Sequence, residues 1–160
     1  IARCYHDLSL DDIQINASID IGGLFIDGLG DGLLLYNNSI SIKEANKLSF
    51  EILQSTRTRI TKTDFISCPS CGRTQFDLME TTAMVREKTS HLKGLKIAIM
   101  GCIVNGPGEM ADADYGYVGT GFEKISLYKG HDVIKKDISS KNSVDELINL
   151  IKDNGDWVEP

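Results

Sequence analysis

The 160-residue sequence has few basic residues and no long apolar run. It contains 17 Lys and Arg residues against 23 Asp and Glu residues, which gives a formal net charge of −6 and an isoelectric point near 5.0. Nucleic-acid-binding domains need a basic surface to neutralise phosphates, so this balance argues against that class. No apolar stretch approaches the roughly 18–20 residues that span a bilayer, and no signal or transit peptide is recognisable.

Cysteine is also scarce, with four residues in the chain. Cys68 and Cys71 form a C-x-x-C in FISCPSCGRT, Cys102 lies in MGCIVNGPGEM, and Cys4 is remote from both segments. This distribution is unlike the disulfide framework of a secreted domain and indicates a metal or redox site. We therefore expect a cytoplasmic protein.

The first 60 residues indicate a helix, a strand and a second helix. Ser9 and Asp12 resemble a capping box for a helix that ends near Gly28, and the pattern predicts a buried strand over 33–36 and a helix over 43–57. Such a piece cannot enclose its own core, and the chain opens on Ile1 rather than Met. We expect a fragment of a longer α/β protein.

The remaining residues predict a mixed sheet covered by helices, so the expected fold class is α/β. A polar linker over 57–65 leads into a strand, and strands are expected over 95–100, 115–121, 124–130 and 132–138. An amphipathic helix is predicted over 74–92, and its expected core face consists of Phe76, Met79, Ala83 and Met84. A capping box of Ser143 and Glu146 is expected to begin the last helix, and the predicted core face of that helix consists of Val144, Leu147, Ile148 and Ile151.

Cys68 and Cys71 are spaced so that one turn of loop brings both sulfurs to one metal centre. Cys102 strengthens this interpretation, because it follows a predicted strand and precedes the turn-forming run Asn105–Gly108. Backbone N–H groups in such a turn can point at one anion, and glycine at positions 106 and 108 allows a close backbone approach. A surface turn that needs glycine is the plainer alternative.

The fourth ligand is harder to assign, because zinc and most iron–sulfur sites take four. Cys4 fits a small buried apolar residue better than a ligand, which leaves Glu109, seven residues after Cys102. A carboxylate is a hard, weakly held ligand on a soft centre, so a substrate could displace it. None of the histidines has zinc-finger spacing to a cysteine: His6, His91 and His131.

CPSCGRT and GCIVNGPGE, about thirty residues apart, resemble the C-terminal domain of the 4-hydroxy-3-methylbut-2-enyl diphosphate synthase family. GLFIDGLGDGLLL and EILQSTRTR resemble the longer form of that family, which carries an inserted domain. The resemblance implies that residues 1–60 are the end of an inserted barrel-like domain plus linker. It implies that residues 61–160 are the cluster domain.

The resemblance also implies a [4Fe–4S] cluster on Cys68, Cys71, Cys102 and Glu109, with Glu109 as the catalytic residue. The implied reaction is the reductive opening of 2-C-methylerythritol 2,4-cyclodiphosphate in the non-mevalonate isoprenoid pathway. Its implied partners are an N-terminal barrel domain that holds most of the substrate site, ferredoxin or flavodoxin as electron donor, and a second copy in a homodimer. Without the barrel, we expect this chain to be inactive alone.

An acidic electron donor would need a basic landing surface on this chain. The sequence offers one small basic group for this purpose, Arg86, Lys88, Lys93 and Lys96, although a solvated helix face is the plainer interpretation. Three other functions stay open from the residues alone: a structural zinc module, an electron-transfer module without substrate chemistry, and a dithiol redox protein that uses Cys68 and Cys71.

Overall fold

The computed structural model describes residues 1–160, which divide into two compact units, Ile1–Thr61 and Lys62–Pro160. Both units combine helices with β-strands, so the predicted α/β class is confirmed. No helix has both the length and the apolar character needed to cross a membrane. The predicted assignment of the first unit to an inserted barrel-like domain stays a prediction.

The first unit contains a parallel two-stranded sheet and three helices. Its elements are β1 (Ala2–Tyr5), α1 (Leu10–Ala17), a π-helical segment (Ser18–Gly22), α2 (Gly23–Ile26), β2 (Leu34–Asn37) and α3 (Ile42–Ser55). The Ser9 side chain accepts a hydrogen bond from the Asp12 N–H, as the predicted cap requires. β1 was not predicted, because it has only four residues and depends on its pairing with the distant β2.

The π-helical segment follows from the spacing of the apolar residues on this helix. Ile13, Ala17, Ile21 and Phe25 are buried at intervals of four residues. Four residues advance about 400° on an α-helix of 3.6 residues per turn, so this spacing drifts by about 40° at each step. The wider turn of the π-helical segment offsets the drift and keeps all four side chains on one buried face.

The prediction that β2 is fully buried is wrong. Leu35 and Asn37 are buried, whereas Leu34 is 65% exposed and Tyr36 is 56% exposed. Successive side chains of a strand point to opposite faces of the sheet, so only one face of this sheet is covered. The short apolar run resembled a strand that is buried on both faces.

The second unit contains a five-stranded mixed sheet, as predicted. Its elements are β3 (Asp64–Ser67), α4 (Leu78–Thr89), β4 (Lys96–Met100), α5 (Gly106–Glu109), β5 (Tyr115–Gly121), β6 (Lys124–Lys129), β7 (Asp132–Ser139) and α6 (Ser140–Asp153). The strand order follows the sequence order; β3, β4 and β5 are parallel, and β6 and β7 continue the sheet antiparallel. Side chains of α4 and α6 pack on one face of this sheet in the main core.

The predicted core face of α4 is wrong for Met79, Ala83 and Met84, whereas Phe76 packs against the main core just before the helix. Its buried residues are Leu78, Thr81, Val85 and Thr89, whereas Met79 is 82% exposed. The helix begins at Leu78 because the Asp77 side chain accepts a hydrogen bond from the Glu80 N–H. Thr81 and Thr89 occupy core positions that were predicted for methionine and alanine.

The last helix begins earlier than predicted, at Ser140. Ser143 is therefore inside the helix, where its hydroxyl donates to the Ser140 carbonyl at 2.6 Å and contacts the Tyr117 hydroxyl at 2.5 Å. The proposed capping box of Ser143 and Glu146 is wrong. The predicted core residues Val144, Leu147 and Ile151 are buried, as their spacing indicated.

Candidate metal centre

The segments that carry the three clustered cysteines lie at one edge of the second unit's sheet. β3 and β4 are parallel neighbours, with Ser67 in register with Ile99, so their carboxyl ends meet at the same edge. Cys68 directly follows β3, and its N–H donates to the Ile99 carbonyl at 3.3 Å. Cys102 follows β4 by two residues. Parallel pairing therefore brings together the first cysteine loop, which follows β3 and carries Cys68 and Cys71, and the second cysteine loop, which follows β4 and carries Cys102.

The first cysteine loop is held by its own threonine. The Cys71 N–H donates to Thr74 Oγ1 at 3.2 Å, and the Thr74 N–H donates back to the Cys71 carbonyl at 3.0 Å. Ser70 adopts a φ of 66°, in the left-handed region that tight turns use. These contacts fold the C-x-x-C into a compact turn at the strand end.

Gly101 connects the two loops. Its N–H donates to Cys68 Sγ at 3.2 Å, and its carbonyl accepts from the Gln75 N–H at 3.0 Å. Gly119 of β5 lies so close that a Cβ there would come within 2.4 Å of the Gly101 oxygen. Only glycine fits at position 119, so β5 packs directly against the Gly101 backbone.

The second cysteine loop ends in the short helix α5. The Gly106 N–H donates to the Cys102 carbonyl at 3.3 Å, and the Glu109 N–H donates to the Asn105 carbonyl at 3.0 Å. A Cβ on Gly106 would meet the Met100 Cβ at 2.9 Å, so this glycine packs against the sheet. Close packing on β4 thus explains glycine at position 106 without any ligand.

All four residues predicted as ligands line one pocket. Cys68, Cys71, Cys102 and Glu109 surround about 400 Å³ of space, which includes the open mouth of the pocket. No group of three or more His, Cys, Asp or Glu residues has the spacing to hold one metal ion. No histidine lines the pocket.

The pocket favours the thiolate form of Cys102. The Val104 backbone N–H is the main cause of a lowered pKa at this thiol, and the Asn105 N–H and the Arg73 guanidinium act in the same direction. Burial acts in the opposite direction. Because thiolate is the form that binds metal, the pocket supports a ligand role for Cys102.

Arg73 was missed by the sequence analysis, although it lines the same pocket. Its position, two residues after Cys71 in CPSCGRT, was the available signal. The backbone N–H donors of Val104 and Asn105 could not be located from the sequence, because their direction depends on the turn that follows Cys102.

Cys4 is exposed in the first unit, so the prediction of a buried apolar role is wrong. Its Sγ lies 3.3 Å from His6 Nε2, and neither residue lines the cysteine pocket. Cys4 is in register with the exposed Tyr36 of β2, on the open face of this sheet.

The basic group that was predicted to receive an electron donor lies away from the pocket. The Arg86 guanidinium lies 4.9 Å from the Phe65 ring centroid, and Lys88 Nζ contacts Asp145 at 2.7 Å. Lys93 and Lys96 lie at the start of β4, whereas the pocket lies beyond its end. A strand rise of about 3.3 Å per residue separates the two ends of β4 by about 13 Å. This placement gives the docking prediction no support.

Residues 64–153 match the family model for the GcpE protein C-terminal domain. The chain belongs to this family. It is similar to the "4-hydroxy-3-methylbut-2-en-1-yl diphosphate synthase (flavodoxin)" of Parabacteroides distasonis, with 56% identity over 156 residues that cover 98% of this chain and 26% of the relative. It is also similar to the "4-hydroxy-3-methylbut-2-en-1-yl diphosphate synthase (ferredoxin), chloroplastic" of Oryza sativa, with 56% identity over 150 residues that cover 94% of this chain and 20% of the relative.

These matches confirm the resemblance found in the two cysteine motifs. The chain spans only part of these relatives, 26% of the length of the first and 20% of the length of the second. Both relatives bear the name of one synthase, and their names differ in the electron carrier, flavodoxin or ferredoxin.

Proposed function

We propose that this chain is the cluster-bearing part of an enzyme that reductively opens 2-C-methylerythritol 2,4-cyclodiphosphate to 4-hydroxy-3-methylbut-2-enyl diphosphate. The observation that carries the proposal is the single pocket lined by Cys68, Cys71, Cys102 and Glu109. In this proposal residues 61–160 form the cluster domain, and residues 1–60 end an inserted barrel-like domain. The names of the similar synthases support the assignment.

The residues of the pocket fit a [4Fe–4S] cluster. Thiolates are the usual protein ligands of such clusters, and N–H donors to the sulfurs tune them. Here the Gly101 N–H points at Cys68 Sγ, and two further N–H groups act on Cys102. A single zinc ion binds sulfur at about 2.3 Å and needs four converging donors. Three clustered cysteines, with an N–H donor to one sulfur and no histidine in the pocket, suit an iron–sulfur cluster better.

Cys68, Cys71 and Cys102 would hold the cluster, and Glu109 would be its fourth ligand. When bound, such a cluster supplies electrons and a Lewis-acidic iron. Glu109 is exposed at the end of α5, and its carboxylate is the hard donor among three soft sulfurs. It is therefore the ligand that can move away when substrate enters, while the thiolates stay in place.

The proposed reaction takes up two electrons and two protons. A ring carbon–oxygen bond breaks to give the linear diphosphate, and one oxygen leaves as water. Ferredoxin or flavodoxin would supply the electrons, in agreement with the names of the relatives. We propose a cytoplasmic setting for this chemistry, where thiols stay reduced.

A barrel domain of the longer protein would hold most of the substrate site and close over the pocket. Three exposed apolar side chains near the cysteine motifs support such closure: Ile103 and Val104 follow Cys102, and Phe122 is 84% exposed at the tip of the β5–β6 hairpin. This tip is tied to the first cysteine loop, because the Glu123 N–H donates to the Gln75 carbonyl at 3.3 Å. Closure would exclude water from the reacting groups.

The test is metal and acid-labile sulfide analysis of anaerobically prepared chain, with its visible spectrum. We expect about four iron and four sulfide per chain for the unaltered protein. Cys102→Ala should lose the cluster, because a thiolate ligand is removed. Glu109→Ala should keep most of it, since three thiolates remain. Cys4→Ala is the matched control, because Cys4 lies outside the pocket, and it should retain full content.

One zinc per chain without sulfide would contradict the proposal and indicate a structural zinc module. Equal iron loss in Cys102→Ala and Glu109→Ala would contradict the role of Glu109 as the displaceable ligand.

A further inference from the structure

Arg73 is the one positively charged residue among those that line the cysteine pocket. The other ionisable groups there, Cys68, Cys71, Cys102 and Glu109, all become negative when they bind metal. This concentration of like charge opposes the addition of an electron to anything held between them. A single cation in the wall of the pocket therefore offsets a substantial part of the negative potential inside it.

The backbone around Arg73 is fixed by hydrogen bonds on both sides. Thr74 bonds to Cys71 through both its N–H and its hydroxyl, and the Arg73 carbonyl accepts from Gln75 Nε2 at 2.6 Å. The Gln75 N–H is in turn bonded to Gly101, which precedes Cys102. The Arg73 side chain thus starts from an anchored position between the two cysteine loops.

The Arg73 side chain lines the same pocket as Cys102. Its guanidinium is among the groups that lower the pKa of that thiol, although the residue as a whole is exposed. An arginine stays protonated at any working pH, so its charge is a fixed property of the pocket. The planar guanidinium also presents several N–H groups to a sulfur-rich surface.

We propose that Arg73 is a positioning residue that raises the reduction potential of the cluster held by this pocket. The inference rests on the proposed function, because it needs an iron–sulfur cluster on the three cysteines. Reduction by one electron adds one negative charge, and a cation beside Cys102 stabilises the reduced form more than the oxidised form. The charge of Arg73 would thus help the cluster to accept electrons from its donor.

The test is an anaerobic redox titration of the chain loaded with iron and sulfide, followed by electron paramagnetic resonance. Dithionite supplies one electron per cluster in the presence of mediators. In Arg73→Gln we expect the equilibrium constant for reduction to fall about tenfold, which for one electron is a potential lower by about 59 mV. Arg73→Lys keeps the charge and should stay near the unaltered protein.

Lys93→Gln is the matched control, because it removes the same charge at the far end of the sheet from the pocket. Its potential should be unchanged. Arg73→Gln with a full cluster and a potential equal to that of Lys93→Gln would overturn the inference. Loss of the cluster in both Arg73→Gln and Arg73→Lys would also overturn it, because the guanidinium would then be needed to hold the cluster whatever the charge at this position.

Loss of the cluster in Arg73→Gln alone, with Arg73→Lys at the original potential, would support the role of charge. If the unaltered chain takes up no iron and sulfide, the proposed function fails, and that result is separate from any comparison among the variants.

Discussion

The two units of this chain differ in how completely they cover their sheets. The second unit has five strands, and helices pack on the main core face. The first has two strands, one open sheet face and several exposed apolar side chains. These include Ile15, Ile19, Ile26, Leu34 and Ile42. Because the first unit has a small sheet and leaves much apolar surface exposed, we expect the second unit to fold on its own and the first not to do so.

The largest expected effect comes from separating the units. Residues 62–160 alone should unfold cooperatively in urea, because their core is internal to the unit. Residues 1–61 alone should show no cooperative transition. Far-UV circular dichroism during urea titration measures both. A sharp transition in residues 1–61 would show that the small core of the first unit suffices.

Matched leucine substitutions sharpen the comparison. Leu147→Ala in the second unit should lower the free energy of unfolding by about 2–5 kcal/mol, because it empties space in a packed core. Leu34→Ala in the first unit should change it by less than about 0.5 kcal/mol, since that side chain is mostly exposed.

The fluorescence of Trp157, the single tryptophan, reports unfolding of the second unit because it packs against that core. Far-UV circular dichroism records the first unit as well. A large loss of stability in Leu34→Ala would mean that the open sheet face is covered in solution.

The smallest expected effect is a dependence of the first unit on alkaline pH. The Tyr5 hydroxyl donates to Asp20 at 2.8 Å, and burial together with this carboxylate raises the pKa of Tyr5 from 10.0 to about 12. The bond therefore stabilises the unit fully below pH 10, and its contribution is lost as pH rises towards 12. Tyr5→Phe should show less loss of helical signal over this range.

Tyr36→Phe is the control for that experiment, because Tyr36 is exposed on the neighbouring strand. Circular dichroism between pH 9 and pH 12 makes the measurement. If Tyr5→Phe and the unaltered chain lost equal helical signal at alkaline pH, the Tyr5–Asp20 bond would not be the cause of the loss.

Features that depend on neighbouring residues could be predicted from the sequence. The Ser9 cap, the core face of α6 and the placement of both cysteine motifs at strand ends follow from local spacing. The meeting of Cys68 and Cys102 required one further rule, that parallel neighbours end at the same edge of a sheet. With it, the two cysteine loops could be placed side by side before the structure, although Arg73 could not.

Features that depend on distant contacts could not be predicted. β1 exists because it pairs with β2, about thirty residues further along the chain. The buried face of α4 is set by the strands beneath it, which select Thr81 and Thr89 over the methionines. Ser143 acts inside a helix because Tyr117 offers its hydroxyl from β5.

The π-helical segment Ser18–Gly22 has a consequence for how this protein tolerates change in length. If one residue were deleted from that segment and the winding became ordinary, Phe25 would lie eleven residues after Ile13, about 1100° around the helix. It would thus stay within about 20° of the buried face that it shares with Ile13. During evolution this helix can therefore lose one residue at the wide turn, whereas a deletion elsewhere before Phe25, with the wide turn kept, would rotate Phe25 by about 100° away from that face.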